Sequence, residues 1–191
     1  MIRLLPILPI LLLLASSAPA TASEVDRAEY IRLAGEIRGL ADRQAWGGVE
    51  RAYQAAVQTA HPLTFRDHLS GAHAASASGD MAAVRERLFQ AHQIAEDHEV
   101  IDWLWSIDSE YGAVDLVADA GFALTATELA FDPIRSRSVT FAAKTLAETG
   151  TYQGLLPAGA YQVGDMVFFV TPGTEAARVS ADQTKRRRRS G

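Results

Sequence analysis

The chain has 191 residues, 48% hydrophobic and 21% charged, with mean hydropathy near zero; this builds one large or two small globular domains and excludes a multi-span membrane protein, a collagen-like chain and wholesale disorder. Cysteine is absent, which excludes a disulfide framework, a thiol nucleophile, cysteine-held zinc or iron–sulfur centres and a lipoprotein signal. Charge is uneven: 18 Lys+Arg, less Arg3 and the five basic residues of Lys185–Arg189, leave 12 against 23 Asp+Glu, so residues 23–184 carry about −11, a balance that argues against nonspecific nucleic-acid binding.

Residues 1–22 read as a secretory signal. Arg3 supplies the positive start, Leu4 to Ala15 is an apolar run too short to span a bilayer, and Ala20-Thr21-Ala22 is a small-x-small cleavage site before Ser23. Ala18-Pro19-Ala20 is a poorer site because proline sits inside it. The expected location is the periplasm or outside a bacterial cell.

From Glu24 to Ala95 the sequence is rich in Ala, Leu, Glu, Arg and Gln and poor in β-branched residues, which favours helix. A 35-residue offset superimposes Trp46 on Met81, Val49 on Val84, Tyr53 on Leu88, Ala56 on Ala91 and Ala60 on Ala95. Each copy carries a +3, +4, +3 apolar stripe, which is one helix face. The same offset sets Leu33 on His68, Ile37 on Ala72 and Leu40 on Ala75. These residues resemble the tetratricopeptide repeat, a helix–turn–helix unit, over about residues 29–96. Gly79-Asp80 stands at the turn of the second copy, where the first has Gln44-Ala45. Pro62 follows the first copy where the motif closes on proline, and His68 replaces the motif's tryptophan in the second. The resemblance implies a groove lined by the first helices that takes peptides. By motif position it includes Ile31, Ala34, Arg38 and Ala41 from one copy and Arg66, Leu69, His73 and Ser76 from the other. Arg38, Arg66, Leu69 and His73 are the candidate partner-binding residues, with the two arginines able to hold a carboxylate.

Stacked repeats need a further element to cover the last apolar face. Val100, Leu104, Ile107 and Tyr111 fall on a helical stripe, whereas Ile101, Trp103, Trp105 and Ile107 alternate like a strand. Helix is favoured because the segment runs through Asp102, Asp108 and Glu110 and stops at Gly112. Apolar residues on both its faces, with Trp103 and Trp105 close together, predict a helix sandwiched between the repeats and the C-terminal module.

After Gly112 the texture becomes strand-like: Ala113–Val117, then Phe122–Phe131 beyond an Asp119-Ala120-Gly121 turn. Asp132-Pro133 opens a helix reaching Glu148, with Ile134, Phe141, Ala142, Leu146 and Ala147 inward and Gly150 as its cap. Tyr152–Leu156 reads as a short extended segment. Tyr161–Val163 and Met166–Val170 read as a hairpin around Gly164-Asp165. Leu156-Pro157-Ala158-Gly159-Ala160-Tyr161-Gln162-Val163 is similar to the closing hairpin of PEGA-type surface modules, which implies a β-rich, non-catalytic unit of exported bacterial proteins. The domain plan is therefore a signal at 1–22, helical hairpins at 23–111, an α+β module at 112–174 and a disordered tail at 175–191.

Sequence signatures of catalysis are missing: there is no GxSxG, P-loop, GxGxxG after a strand, or HExxH. His92 with Glu96 and His98 or Glu99, the Asp97/Glu99/Asp102 group, and Asp115 or Asp119 with Glu128 are weak metal or carboxylate candidates; solvated helix ends and turns carry such residues routinely. The expectation is an α+β exported protein without cofactor, metal or enzymatic role, acting in protein–protein interaction or scaffolding in the cell envelope. A ligand- or glycan-binding role for the second module is the alternative. Lys185, Arg186, Arg187, Arg188 and Arg189 form either a solvated tail or a patch attracted to anionic lipid or polysaccharide.

Overall fold

The computed structural model describes residues 22–119, 121–127, 132–173 and 175–181. Five helices come first: α1 (Ala22–Ala41), α2 (Trp46–Val57), α3 (Phe65–Ser78), α4 (Met81–Ile94) and α5 (His98–Glu110). After them come β1 (Tyr111–Ala118), β2 (Leu124–Ala126), α6 (Pro133–Thr149), β3 (Thr151–Pro157), β4 (Gly159–Val163), β5 (Met166–Val170) and β6 (Ala177–Ala181). The fold is α+β, with helices N-terminal and strands mostly C-terminal.

Local chemistry fixes the helix ends. Thr64 and Asp67 form a reciprocal capping box on α3, and Asp80 and Asp97 accept from the backbone N–H of Ala83 and Val100 at 3.0 and 3.1 Å. Each such cap is worth ~1 kcal/mol. Gly79 ends α3 at φ 90°, and Gln44, 35 residues earlier, also has positive φ, at 55°. The non-glycine residue at Gln44 accepts left-handed strain that Gly79 avoids. α2 and α4 start 35 residues apart, and three of the five pairs the offset aligns there are buried in both, Val49 and Val84, Tyr53 and Leu88, Ala56 and Ala91, whereas Trp46 is half-buried opposite buried Met81 and Ala60 and Ala95 are exposed.

Sequential helices pack on one another from α1 to α5. Leu33, Ile37, Val49 and Tyr53 form one cluster; Met81, Val84, Leu88, Val100 and Ile107 form the next. Segment 97–111 is helical to Glu110, and Tyr111 is already the first residue of β1. The outer face of α5 is not sandwiched: Trp105 is 73% exposed and Ile101 39%. The chain turns directly into the sheet after Glu110, so the strands do not pass over that face. The expected burial of both tryptophans therefore fails for Trp105, while Trp103 is half-buried.

The second half holds two three-stranded sheets, β3-β1-β6 and β2-β4-β5. β1 runs antiparallel to β3, Tyr111 opposite Pro157, and parallel to β6, Val114 opposite Ala177. β6 lies in a stretch that the sequence reading assigns to the tail; its parallel pairing to a distant strand leaves no local signal. The bend at Ala158 passes the chain from one sheet to the other, so β3 and β4 do not pair. Tyr161 and Val163 point inward, 2% and 1% exposed, and β4 and β5 form the hairpin through Gly164-Asp165. In the expected strand 122–131 only Leu124–Ala126 is extended, and residues 128–131 lie outside the described residues. α6 buries Ser138, Val139, Ala142 and Leu146, whereas Ile134 and Ala147 face water, a rotation of the expected face.

The halves meet closely. A Cβ built on Gly79 would stand 2.4 Å from the Arg137 carbonyl oxygen of α6, so the α3–α4 turn tolerates only glycine on two grounds, φ and space. Leu155 of β3 packs against the second helical cluster, and Ala158 N–H donates to the Glu110 carbonyl at 2.8 Å.

Candidate functional site

α1 and α3 are locked level with each other by Tyr30, whose hydroxyl donates to Asp67 Oδ2 at 2.7 Å while its ring stacks on His61 at 4.3 Å. Asp67 is 3% exposed and also serves the α3 cap, so one carboxylate ties a helix start to its neighbour. Further along α3, His73 stands between two indoles. Its ring centroid is 5.7 Å from that of Trp46, at the start of α2, and 5.0 Å from that of Trp103 on α5. Three helices thus contribute rings to one aromatic row. Partial burial pushes the His73 pKa down, so the imidazole is neutral at pH 7.

Arg38 and Arg66 are both exposed. Arg38 Nε donates to its own helix at Ala34 O, 3.3 Å away, and among the described residues neither guanidinium has a carboxylate partner. Arg38 stands eight residues beyond Tyr30, about 12 Å of helical rise, whereas Arg66 neighbours Asp67 at the Tyr30 level. The two cations therefore leave their helices at backbone positions of different height. Leu69 is half-buried and packs on the second helical cluster, and Ile31 is 58% exposed.

Behind this face lies a polar network that sequence reading missed. The Arg87 side chain is 7% exposed; its two terminal nitrogens donate to Glu50 at 2.5 and 2.7 Å, and one also donates to the Gly71 carbonyl at 2.7 Å. The guanidinium lies 4.3 Å over the Tyr53 ring, and the Tyr53 hydroxyl bonds His68 Nδ1 at 3.0 Å. Burial pushes the Glu50 pKa up, but the bonds from Arg87 and Gln54 outweigh it and hold the carboxyl below its ordinary value. Burial lowers the pKa of His68. A Cβ on Gly71 would meet the Tyr53 ring at 2.7 Å, so this glycine lets α3 approach α2. The network fixes α2, α3 and α4 to one another. Its only sequence signal is that Glu50 and Arg87 lie 37 residues apart, close to the repeat offset.

The weaker candidates do not assemble. His92 is half-buried with Nδ1 unpartnered, Glu96, His98 and Glu99 are exposed, and no group of three potential metal ligands occurs among the described residues. Glu128 lies outside the described residues, so its pairing with Asp115 or Asp119 has no structural counterpart. A cleft at the junction of α4 with β1 and β3 has two lobes of about 300 and 410 Å³ that share Arg85, Ala113 and Leu155. Arg85 is held there by Asp108 at 2.6 Å, which leaves the cleft without a free charge from that side chain. No described helix is long and apolar enough to cross a membrane. No family model, curated protein or solved structure matches the chain.

Proposed function

We propose that this is a non-catalytic, exported bacterial protein whose helical half binds an acidic peptide segment, acting in interaction or scaffolding in the cell envelope. The observations that carry the reading are that Arg38 on α1 and Arg66 on α3 are exposed without carboxylate partners among the described residues, and that Trp46, His73 and Trp103 of α2, α3 and α5 form a row of rings. Half-buried aromatic rings and unpaired arginines are the composition of interaction hot spots. The resemblance to tetratricopeptide repeats supports a peptide as occupant. The signal-like start and the PEGA-like stretch support the envelope as the place.

The test is retention of acidic-ended peptides and of envelope proteins by the wild type and by Arg38→Ala/Arg66→Ala. Both side chains face solvent, so the variant keeps its circular dichroism. Each lost charge-assisted contact weakens binding by ~1.5–3 kcal/mol, or about 10- to 150-fold. If the double variant keeps every partner of the wild type, the proposed face is not the binding face.

A further inference from the structure

The outer face of α5 differs from the rest of the helical surface. Trp105 is 73% exposed, with Ile101 one turn before it at 39% and Asp102 three residues before it also in solvent. It lies about 200° round the helix from Trp103, so this face is distinct from the aromatic row with His73. From Leu88 to Ile134 the sequence has ten Asp and Glu and no Lys or Arg. The cations that reach into this stretch go elsewhere: Arg85 to Asp108 at 2.6 Å, and Arg135 to Glu110 at 2.8 Å. Glu99 and Asp102 have no cationic partner among the described residues. Helix polarity accounts for Glu99 in the first turn, but not for Asp102 beside an indole left in water.

The complementary charge is in the same sequence. Lys185-Arg186-Arg187-Arg188-Arg189 follows Ala181, the last residue of β6, by four to eight residues. Ala181 pairs with Ala118, eight residues up β1 from the end of α5, about 26 Å away along the strand. α5 packs on α4 rather than along β1. Eight extended residues span at most about 28 Å, so within one molecule the segment reaches even the end of α5 only when fully stretched.

We propose that the basic segment Lys185–Arg189 of one molecule docks on the exposed face of α5 of a second copy. An arginine lies over the Trp105 indole, and a neighbouring one meets Asp102. Arginine suits this face because a planar guanidinium both stacks on an aromatic ring and forks onto a carboxylate. The reading is independent of the peptide-binding face and survives its failure.

The experiment is sedimentation analysis of the full chain over a concentration series at low and high salt. The wild type self-associates at low salt and dissociates as salt rises, since exposed charges are screened beyond about 8 Å at physiological ionic strength. Trp105→Ala weakens association about two- to fivefold, the size of an exposed cation–π contact. Asp102→Lys weakens it more, as does replacement of Arg186–Arg189 by Glu. A chain carrying both reversals associates again, which a merely unfolded or sticky variant does not do. A wild type that stays monomeric at all concentrations overturns the proposal, even if the basic segment binds anionic vesicles. So does self-association that is indifferent to Trp105, to Asp102 or to the basic segment.

Discussion

Glu50→Ala is expected to destabilise the helical half more than its partly exposed position suggests. The change leaves the Arg87 guanidinium, whose side chain is 7% exposed, without its carboxylate. Breaking a fully buried pair from one side costs ~3–5 kcal/mol. Glu50's side chain is 31% exposed, so water reaches the vacated space and the expected cost falls to ~2–3 kcal/mol. Arg87→Met keeps the aliphatic bulk against Tyr53 but removes the charged donor that the Gly71 carbonyl accepts from besides its own helix, which costs ~1.5–3 kcal/mol. The double change strands no charge, so it is expected to cost less than the sum of the singles by ~1.5–2 kcal/mol. Against a total stability of ~5–15 kcal/mol, each single change is readily measured by urea unfolding followed by far-ultraviolet circular dichroism. The pH dependence has a definite sign. Glu50 is held below its ordinary value, so its stabilisation is present above about pH 4.3 and is lost as pH falls through the lower native value. The acid limb of the stability curve is therefore shallower in the double variant. Additive single changes, within ~0.5 kcal/mol, would refute the claim that Glu50 and Arg87 act as one unit.

Val84→Asp is expected to unfold the helical half, because Val84 is fully buried among Ala75, Leu88 and Val100 and an unpaired carboxylate there costs several kcal/mol; a native-like urea midpoint would mean that the α4 face is misassigned. His68 gives a second pH effect. Its pKa is lowered by burial, so between the ordinary value of about 6.5 and the lower native one the unfolded chain binds more protons, and stability falls as pH falls. His68→Gln is expected to lose less stability than the wild type between ~pH 7 and ~pH 5.5; equal losses would contradict it.

What the sequence determined by itself was local. Asp132-Pro133 and Gly150 bracket α6, Asp80 and Asp97 open α4 and α5, and Gly79 closes α3, because caps and turns are decided by residues within a few positions of one another. The stripes of Val49, Tyr53 and Ala56 and of Val84, Leu88 and Ala91 were legible for the same reason: helical period alone places them on one face. That segment 97–111 is helical was legible from its stripe and carboxylates, but Gly112 was not its stop: the helix ends at Glu110 and Gly112 lies within β1. Of the candidate site, Arg38, Arg66 and His73 were legible as positions on first helices. That His73 would stand between Trp46 and Trp103 was not, since three helices must pack before those rings meet. Tertiary structure alone decided the parallel pairing of β1 with β6, the division of β3 and β4 between two sheets, and the Glu50–Arg87–Tyr53 network. It also decided that Trp105 faces water: periodicity marks a residue as apolar, but only the path of the chain after Glu110 determines whether anything covers it.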